Sequence, residues 1–247
     1  MKPYFLCLTG LCPSFVFAEQ LVYMYWDAKN ISAAGLNDVT FPISMPNAPR
    51  ESGYYFEQAV GFNKGPRDND GATVCVYTGL QPRSDKNGKS IVHGVFSSFI
   101  KGSTTNDKNC HGGADGKSGG VSCAIDVEAI YNTTYLLRIQ HKGQYYYGTL
   151  IDEKSGQQWH IGSFTLPGST SGMNPSLYGF MEYYYTGLGT CSKHPGTQAT
   201  FGVPVTTTPG VTLSLKPPQQ AKSCQGKLPW NYKKLNDGSY DITIHTS

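Results

Sequence analysis

The chain is short of charge. Lys, Arg, Asp and Glu make up 15% of its 247 residues, against roughly 25% in an average globular protein. The charges it has nearly cancel: the formal net charge is +3, and removing Lys2 with the leader leaves +2. A nucleic-acid partner wants a concentrated basic stripe, and none is present. No run after the leader reaches the roughly 18 apolar residues of a membrane span. No C-x-x-C or H-x-x-x-H spacing occurs, which argues against zinc. No nucleophile elbow leads from a strand into a helix, and no phosphate-binding glycine loop ends in Lys-Ser or Lys-Thr before a helix. Helical periodicity is missing as well.

What is plentiful is aromatic residues, at 13%, and glycine, at 29 residues. That mixture suits strands and turns and is poor for helices. The first 18 residues read as a secretory signal: Lys2 supplies a positive start, Tyr4 to Phe17 an apolar stretch, and Val16-Phe17-Ala18 a small-x-small cleavage pattern. The mature chain then starts near Glu19, and a secreted, extracellular or periplasmic, protein is expected. From there strand follows strand at short spacing. The best are Gln20–Trp26, Tyr54–Phe62, Ala72–Gln81, Ser90–Ile100, Val121–Val127, Thr134–His141, Gln144–Ile151, Gln158–Phe164 and Leu177–Thr186. Asn87-Gly88 marks a hairpin turn. Val39–Ile43 alternates too, but Pro42 demotes it to an edge strand. The reading is all-β: an antiparallel β-sandwich of concanavalin-like or jelly-roll type over 19–190. Residues 191–247 then form a Pro/Thr-rich C-terminal extension packed on or stapled to it.

Five cysteines remain after the leader, and an exported chain tends to oxidise them. Spacing cannot decide connectivity. The expectation is Cys110–Cys123 closing a glycine-rich loop, Cys191–Cys224 stapling the extension, and Cys75 as a buried free thiol.

Five pieces carry a resemblance. They are Tyr77-Thr78-Gly79-Leu80-Gln81, the Phe96-Ser97 strand, the Gly113–Cys123 loop, Thr134-Tyr135-Leu136-Leu137-Arg138-Ile139, and the aromatic strand around Glu182. Over roughly 53–186 the chain resembles a family of secreted, mostly bacterial proteins known as a domain of unknown function. The resemblance implies a concanavalin-like sandwich and, by analogy with the carbohydrate-active modules to which such domains are attached, sugar binding. Where members carry a Gly-Glu-Gly type loop, this chain has Gly113-Ala114-Asp115-Gly116, so no role of that Glu is carried over.

Three sets of residues could carry chemistry. Glu57 and Glu182 each lie mid-strand among aromatics. On neighbouring strands their carboxyls, at about 5–10 Å, could act as a glycosidase acid and base. The plainer reading is one buried Glu satisfied by Tyr hydroxyls or Arg138, and one exposed. Asp107, Asn109 and Asp115 are hard oxygen donors of the kind Ca²⁺ requires; the spacing matches no known loop, and solvated turn chemistry competes. Tyr77, Gln81, Tyr146, Tyr184 and Glu182 could form a ligand face. Tyr146 and Tyr184 are the middle residues of Tyr triplets, which alternation sends to the face opposite their neighbours. The function expected is non-catalytic binding of a carbohydrate or glycoconjugate. Two alternatives are a glycan-cleaving enzyme using the paired carboxylates and a secreted virulence or interaction factor that binds a host protein.

Overall fold

Along Tyr54–Phe62 every second side chain turns the same way. Tyr54, Phe56, Val60 and Phe62 join one apolar cluster, while Tyr55 and Ala59 join another. Two-residue periodicity on a pleated strand produces this split, and the fold is built from strands that obey it. The computed structural model describes residues 19–65, 75–114, 119–168, 170–175, 177–185, 191 and 194–246. Among them there is no α-helix, only a short 3₁₀ turn at Lys222–Cys224.

Two antiparallel sheets pack face to face as a sandwich. The first contains β1 (Glu19–Lys29), β3 (Tyr54–Lys64), β4 (Val76–Lys86), β5 (Lys89–Ser98), β6 (Cys110–Gly112), β7 (Val121–Glu128) and β12 (Tyr178–Tyr183). The short β11 (Ser171–Asn174), β14 (Thr212–Leu215) and β15 (Gln219–Gln220) join it. Its main path runs β14-β1-β12-β3-β4-β5-β7-β6. The second sheet holds β2 (Asp38–Ser44), β8 (Tyr135–Lys142), β9 (Tyr145–Asp152), β10 (Gln158–Thr165), β13 (Thr197–Phe201), β16 (Trp230–Lys234) and β17 (Tyr240–Ile244). Its order is β10-β9-β8-β2-β13-β17-β16.

Large rings meet across the interface. Trp26 of β1 meets Phe41 of β2 edge-on at 5.5 Å between centroids, and Phe96 of β5 stacks on Phe164 of β10 at 4.4 Å. The Trp26 indole N–H donates to the Ala59 carbonyl at 2.9 Å, so burying it leaves no orphan donor. The β4–β5 hairpin turns at Asn87 and Gly88, both with positive φ (53° and 74°). That is the geometry for which an Asn-Gly pair is suited.

Two expectations change. β2 is an interior strand, paired with β8 from Asp38 to Ile43 and with β13 at Ile43 and Ser44. Pro42 is tolerated because its side lacking an N–H faces the end of β13. There the Pro42 carbonyl accepts from Gly202 at 2.8 Å, and the proline replaces no ladder donor. The segment after Cys191 is woven into both sheets rather than laid on them: β13, β17 and β16 extend the second, and β14 and β15 flank β1 in the first. Cys75, fully buried, is disulfide-bonded in the full-length chain; the four other cysteines after the leader pair with one another, so in a chain that starts at Glu19 it is the free thiol expected. A buried apolar strand position hides a thiol and a half-cystine equally well. The other two bridges, Cys110–Cys123 and Cys191–Cys224, are formed. The leader, residues 1–18, lies outside the described residues.

Candidate ligand-binding cleft

The inner face of the first sheet is mostly hydrocarbon, with Gln58 and Thr78 buried among its apolar side chains. The outer face carries more polar groups. Tyr55, Ala59, Tyr77, Val95, Leu177, Tyr178 and Phe180 form a second apolar cluster there, and polar groups are set among them. The register explains which ones meet. Glu182 of β12 stands opposite Tyr55 of β3, and Phe180 opposite Glu57. Phe56 stands opposite Leu80 of β4, so Gln81 lies one residue on, beside Tyr55. Gln81 faces His93 of β5, and His93 faces Asp126 of β7. One transverse row therefore reads Glu182, Tyr55, Gln81, His93, Asp126.

A cleft of about 530 Å³ lies over this row. Tyr55, Tyr77, Gln81, Arg83, His93, His111, Glu182 and Tyr184 line it, with Val95, Ser122 and Ala124. Of the five ligand residues expected, Tyr77, Gln81, Glu182 and Tyr184 are brought together here. Tyr146 is not. It is 2% exposed and sits in the inter-sheet core, edge-on to Phe62 and stacked on His141 at 4.3 Å. In β9 the middle residue of the Tyr triplet turns inward; in the strand of Glu182 the middle one turns out.

Five polar or aromatic lining residues were missed: Tyr55, Arg83, His93, His111 and Ser122. Arg83 had a readable signal, since it lies two residues past Gln81 on one strand and so shares its face. Its guanidinium organises this end of the cleft. Nη2 donates to the Gln81 Oε1 at 2.6 Å; Nη1 donates to the Tyr184 hydroxyl at 3.3 Å and the Pro82 carbonyl at 2.9 Å. Because Gln81 presents its oxygen to Arg83, its NH₂ group is left to face elsewhere. His93 Nδ1 lies 2.7 Å from Asp126 Oδ1. Burial, then the Arg83 charge, push the His93 pKa below the usual histidine value, with Asp126 opposing them.

Gly79 shapes the floor. It pairs with Glu57, and a Cβ there would stand 2.2 Å from the Phe56 carbonyl oxygen and 2.7 Å from the Tyr55 ring. The ring lies over the bare glycine, which leaves room between Glu182 and Gln81. By strand spacing these two are about 10 Å apart at the backbone.

The carboxyl pair is partly as expected. Glu57 and Glu182 lie on adjacent strands and one face, diagonally related, and both are buried. Only Glu182 lines the cleft; Glu57, at 0% exposure, lies beneath its floor. Burial, reinforced by the Glu182 charge, holds the Glu57 carboxyl well above the usual range. The Phe180 backbone N–H tempers the shift without making a well-formed hydrogen bond to either oxygen. Arg138 has no part in this: it belongs to the other sheet and donates to Gln158.

Of the expected Ca²⁺ donors, Asp107 and Asn109 are described, and both are engaged within the protein. The Asp107 carboxylate is taken by His160 Nε2 at 2.5 Å, the Ser163 hydroxyl at 2.9 Å and the Asn109 backbone N–H at 3.0 Å. The Asn109 side chain donates to the His160 carbonyl. Its loop is folded against β10, which satisfies these groups internally. Asp115 lies outside the described residues. Among the described residues no three His, Cys, Asp or Glu side chains group as metal ligands.

No family model matches the chain, and no curated protein matches it. Solved structures that match the chain weakly include a Scytalido-glutamic peptidase with a peptide-based transition state analog. The TM-score is 0.46 and the identity 9%, over 92% of this chain and 99% of that one. A second is the enzymatically active domain of bacteriophage CBA120 tailspike protein 2, with TM-score 0.30 and 11% identity over 71% of this chain and 23% of that one. Neither is similar enough to transfer a residue role or an activity.

Proposed function

We propose that this protein is exported and binds a carbohydrate or glycoconjugate in the cleft of the first sheet, without cleaving it. The observation that carries the reading is the gathering of Tyr77, Tyr184, Gln81 and Glu182, from two strands and the turn after one of them, over one cleft. A sugar needs an aromatic face for its C–H surface and fixed planar polar groups for its hydroxyls. Tyr184 and Tyr77 offer the first. The Gln81 amide, pinned by Arg83, and the Glu182 carboxyl offer the second. The two disulfides and the lack, among the described residues, of a helix long and apolar enough to cross a membrane are compatible with export.

The test is a glycan-array screen of residues 19–247, followed by titration of the best glycan. Tyr184→Ala should weaken binding at least tenfold, about 1.4 kcal/mol, with the unfolding midpoint little changed. A screen that finds no glycan, repeated with and without chelator, sinks the reading.

Glycan cleavage is the second reading, and one observation favours it: the two carboxyls are electrostatically coupled on one face. The burial of Glu57 weighs against it. A paired-carboxylate glycosidase needs both groups to reach the scissile bond from opposite sides. Product formation that is lost in Glu182→Gln would establish cleavage.

A further inference from the structure

We propose that the ligand of this cleft carries a carboxylate and that Arg83 is the residue that holds it. The inference rests on the glycan-binding reading and narrows it to an acidic sugar, such as a uronic acid.

Arg83 lacks a charged partner: among the described residues no carboxylate forms an ion pair with it. The nearby acids are engaged elsewhere: Asp85 with Arg50 at 3.7 Å, and Asp126 with His93 at 2.7 Å. Its three hydrogen bonds go to neutral acceptors: a backbone carbonyl, a phenol and an amide oxygen. A guanidinium carries five N–H donors, so two remain. Two N–H groups on a planar fork match the two oxygens of a carboxylate.

The setting makes that match useful. The hydrogen bonds of Arg83 are part-buried and the residue lines the cleft, so its charge is less screened than one on the open surface. The Tyr184 hydroxyl and Gln81 hold the fork in place before a ligand arrives, which lowers the ordering cost of binding. Glu182 does not cancel the site. Among the described residues it forms no ion pair with Arg83, and the two strands lie two places apart, about 10 Å at the backbone. The cleft is therefore polarised across its width. An anionic group fits at the Arg83 end, and hydroxyl donors fit at the Glu182 end.

The experiment is calorimetric titration of residues 19–247 with three probes of equal length. They are galacturonic acid tetrasaccharide, the same oligosaccharide with its carboxyls reduced to alcohols, and a sulfated galactan tetrasaccharide. The uronate should bind at least tenfold more tightly than its reduced counterpart. Arg83→Met should erase that ratio, and Arg83→Lys, which keeps the charge and loses the fork, should restore only part of it. Thermal unfolding of each variant shows whether the site is still folded. Should Arg83→Met not fold, the wild-type ratio and Arg83→Lys still decide. Equal binding of the acidic and reduced probes overturns the inference and leaves glycan binding standing. Sulfated probes that bind as tightly as the uronate overturn the assignment to a carboxylate. No binding to any of the three, or to any glycan on the array, removes both readings.

Discussion

The two faces of the first sheet are made by the same strands, residue by residue in alternation, and they are composed differently. The inner face is sealed by rings and branched aliphatics: Trp26, Phe56 and Phe96 are each at most 1% exposed. Polar groups there are few: the Trp26 N–H and the Thr78 hydroxyl are satisfied, and only the buried Gln58 amide, on the face of Phe56 and Val60, makes no hydrogen bond among the described residues. The outer face buries rings as well, but places among them a carboxyl with no well-formed hydrogen bond, a guanidinium with spare donors and an imidazole–carboxylate pair. Burying such groups costs stability unless they are paired. The inner face thus stabilises the sandwich, and the outer face trades stability for a shaped polar cleft. Substitutions on one face should move unfolding and spare binding; substitutions on the other should do the reverse.

The sharpest break of the inner face is Trp26→Ala. It removes a fully buried indole with its hydrogen bond and leaves a cavity against Phe41. A cost of about 3–5 kcal/mol is expected from such truncations, read as a lower urea midpoint. Any loss of ligand binding should follow the fraction unfolded.

Gly79→Ala tests the outer face where it is tightest. The added methyl meets the Phe56 carbonyl and the Tyr55 ring, so the strand or the ring must shift. Overpacking of this kind costs about 1–3 kcal/mol. Unlike Trp26→Ala, it should also weaken ligand binding in the protein that remains folded, because the displaced ring moves into the space between Glu182 and Gln81. Unchanged affinity in the folded fraction would separate Tyr55 from the cleft.

How much of this was legible in the sequence depends on parity. Strand after strand with glycine turns and no helical period was enough for the sandwich, and alternation put Tyr77 and Gln81 on one face. The two Tyr triplets show where legibility ends. Tyr145-Tyr146-Tyr147 and Tyr183-Tyr184-Tyr185 read alike, yet Tyr146 faces the core and Tyr184 the cleft. A shift of one residue turns every side chain of a strand over, and which face is inner is decided by the opposite sheet. Pro42 was misread for a related reason. Its missing donor matters only on the side where a neighbour needs it, and β13 ends there. The pairing of Glu57 with Glu182 needed strand order, since 125 residues of sequence separate them.

Glu57 makes the stability of the outer face depend on pH. The folded pKa of Glu57 is raised, so the folded state holds its proton over a pH range where the unfolded chain has lost it. The associated stability is complete below the ordinary carboxyl range. It falls as pH rises toward the folded value, by up to about 1.4 kcal/mol per pH unit. Glu57→Gln cannot titrate and should lack this slope: near wild type at pH 4, and more stable than wild type at pH 8. Glu182→Gln should flatten the slope in part, because it removes the second cause of the shift and leaves burial, the larger one. Parallel stability curves for wild type and Glu57→Gln would mean that the carboxyl is not held protonated beneath the floor.

The smallest change should be the most selective. Tyr184→Phe removes one oxygen and keeps the ring that lines the cleft. Its hydroxyl accepts from Arg83 at 3.3 Å, a long and part-buried bond, so stability should change by no more than about 0.5–1.5 kcal/mol. The guanidinium, however, loses one of the three contacts that hold its fork. If the cleft binds neutral sugar by stacking alone, Tyr184→Phe leaves affinity intact. If Arg83 recognises a carboxylate, the variant should bind the uronate several-fold more weakly and the carboxyl-reduced probe as before. One hydroxyl then separates stacking from charge recognition on the same face of the same sheet.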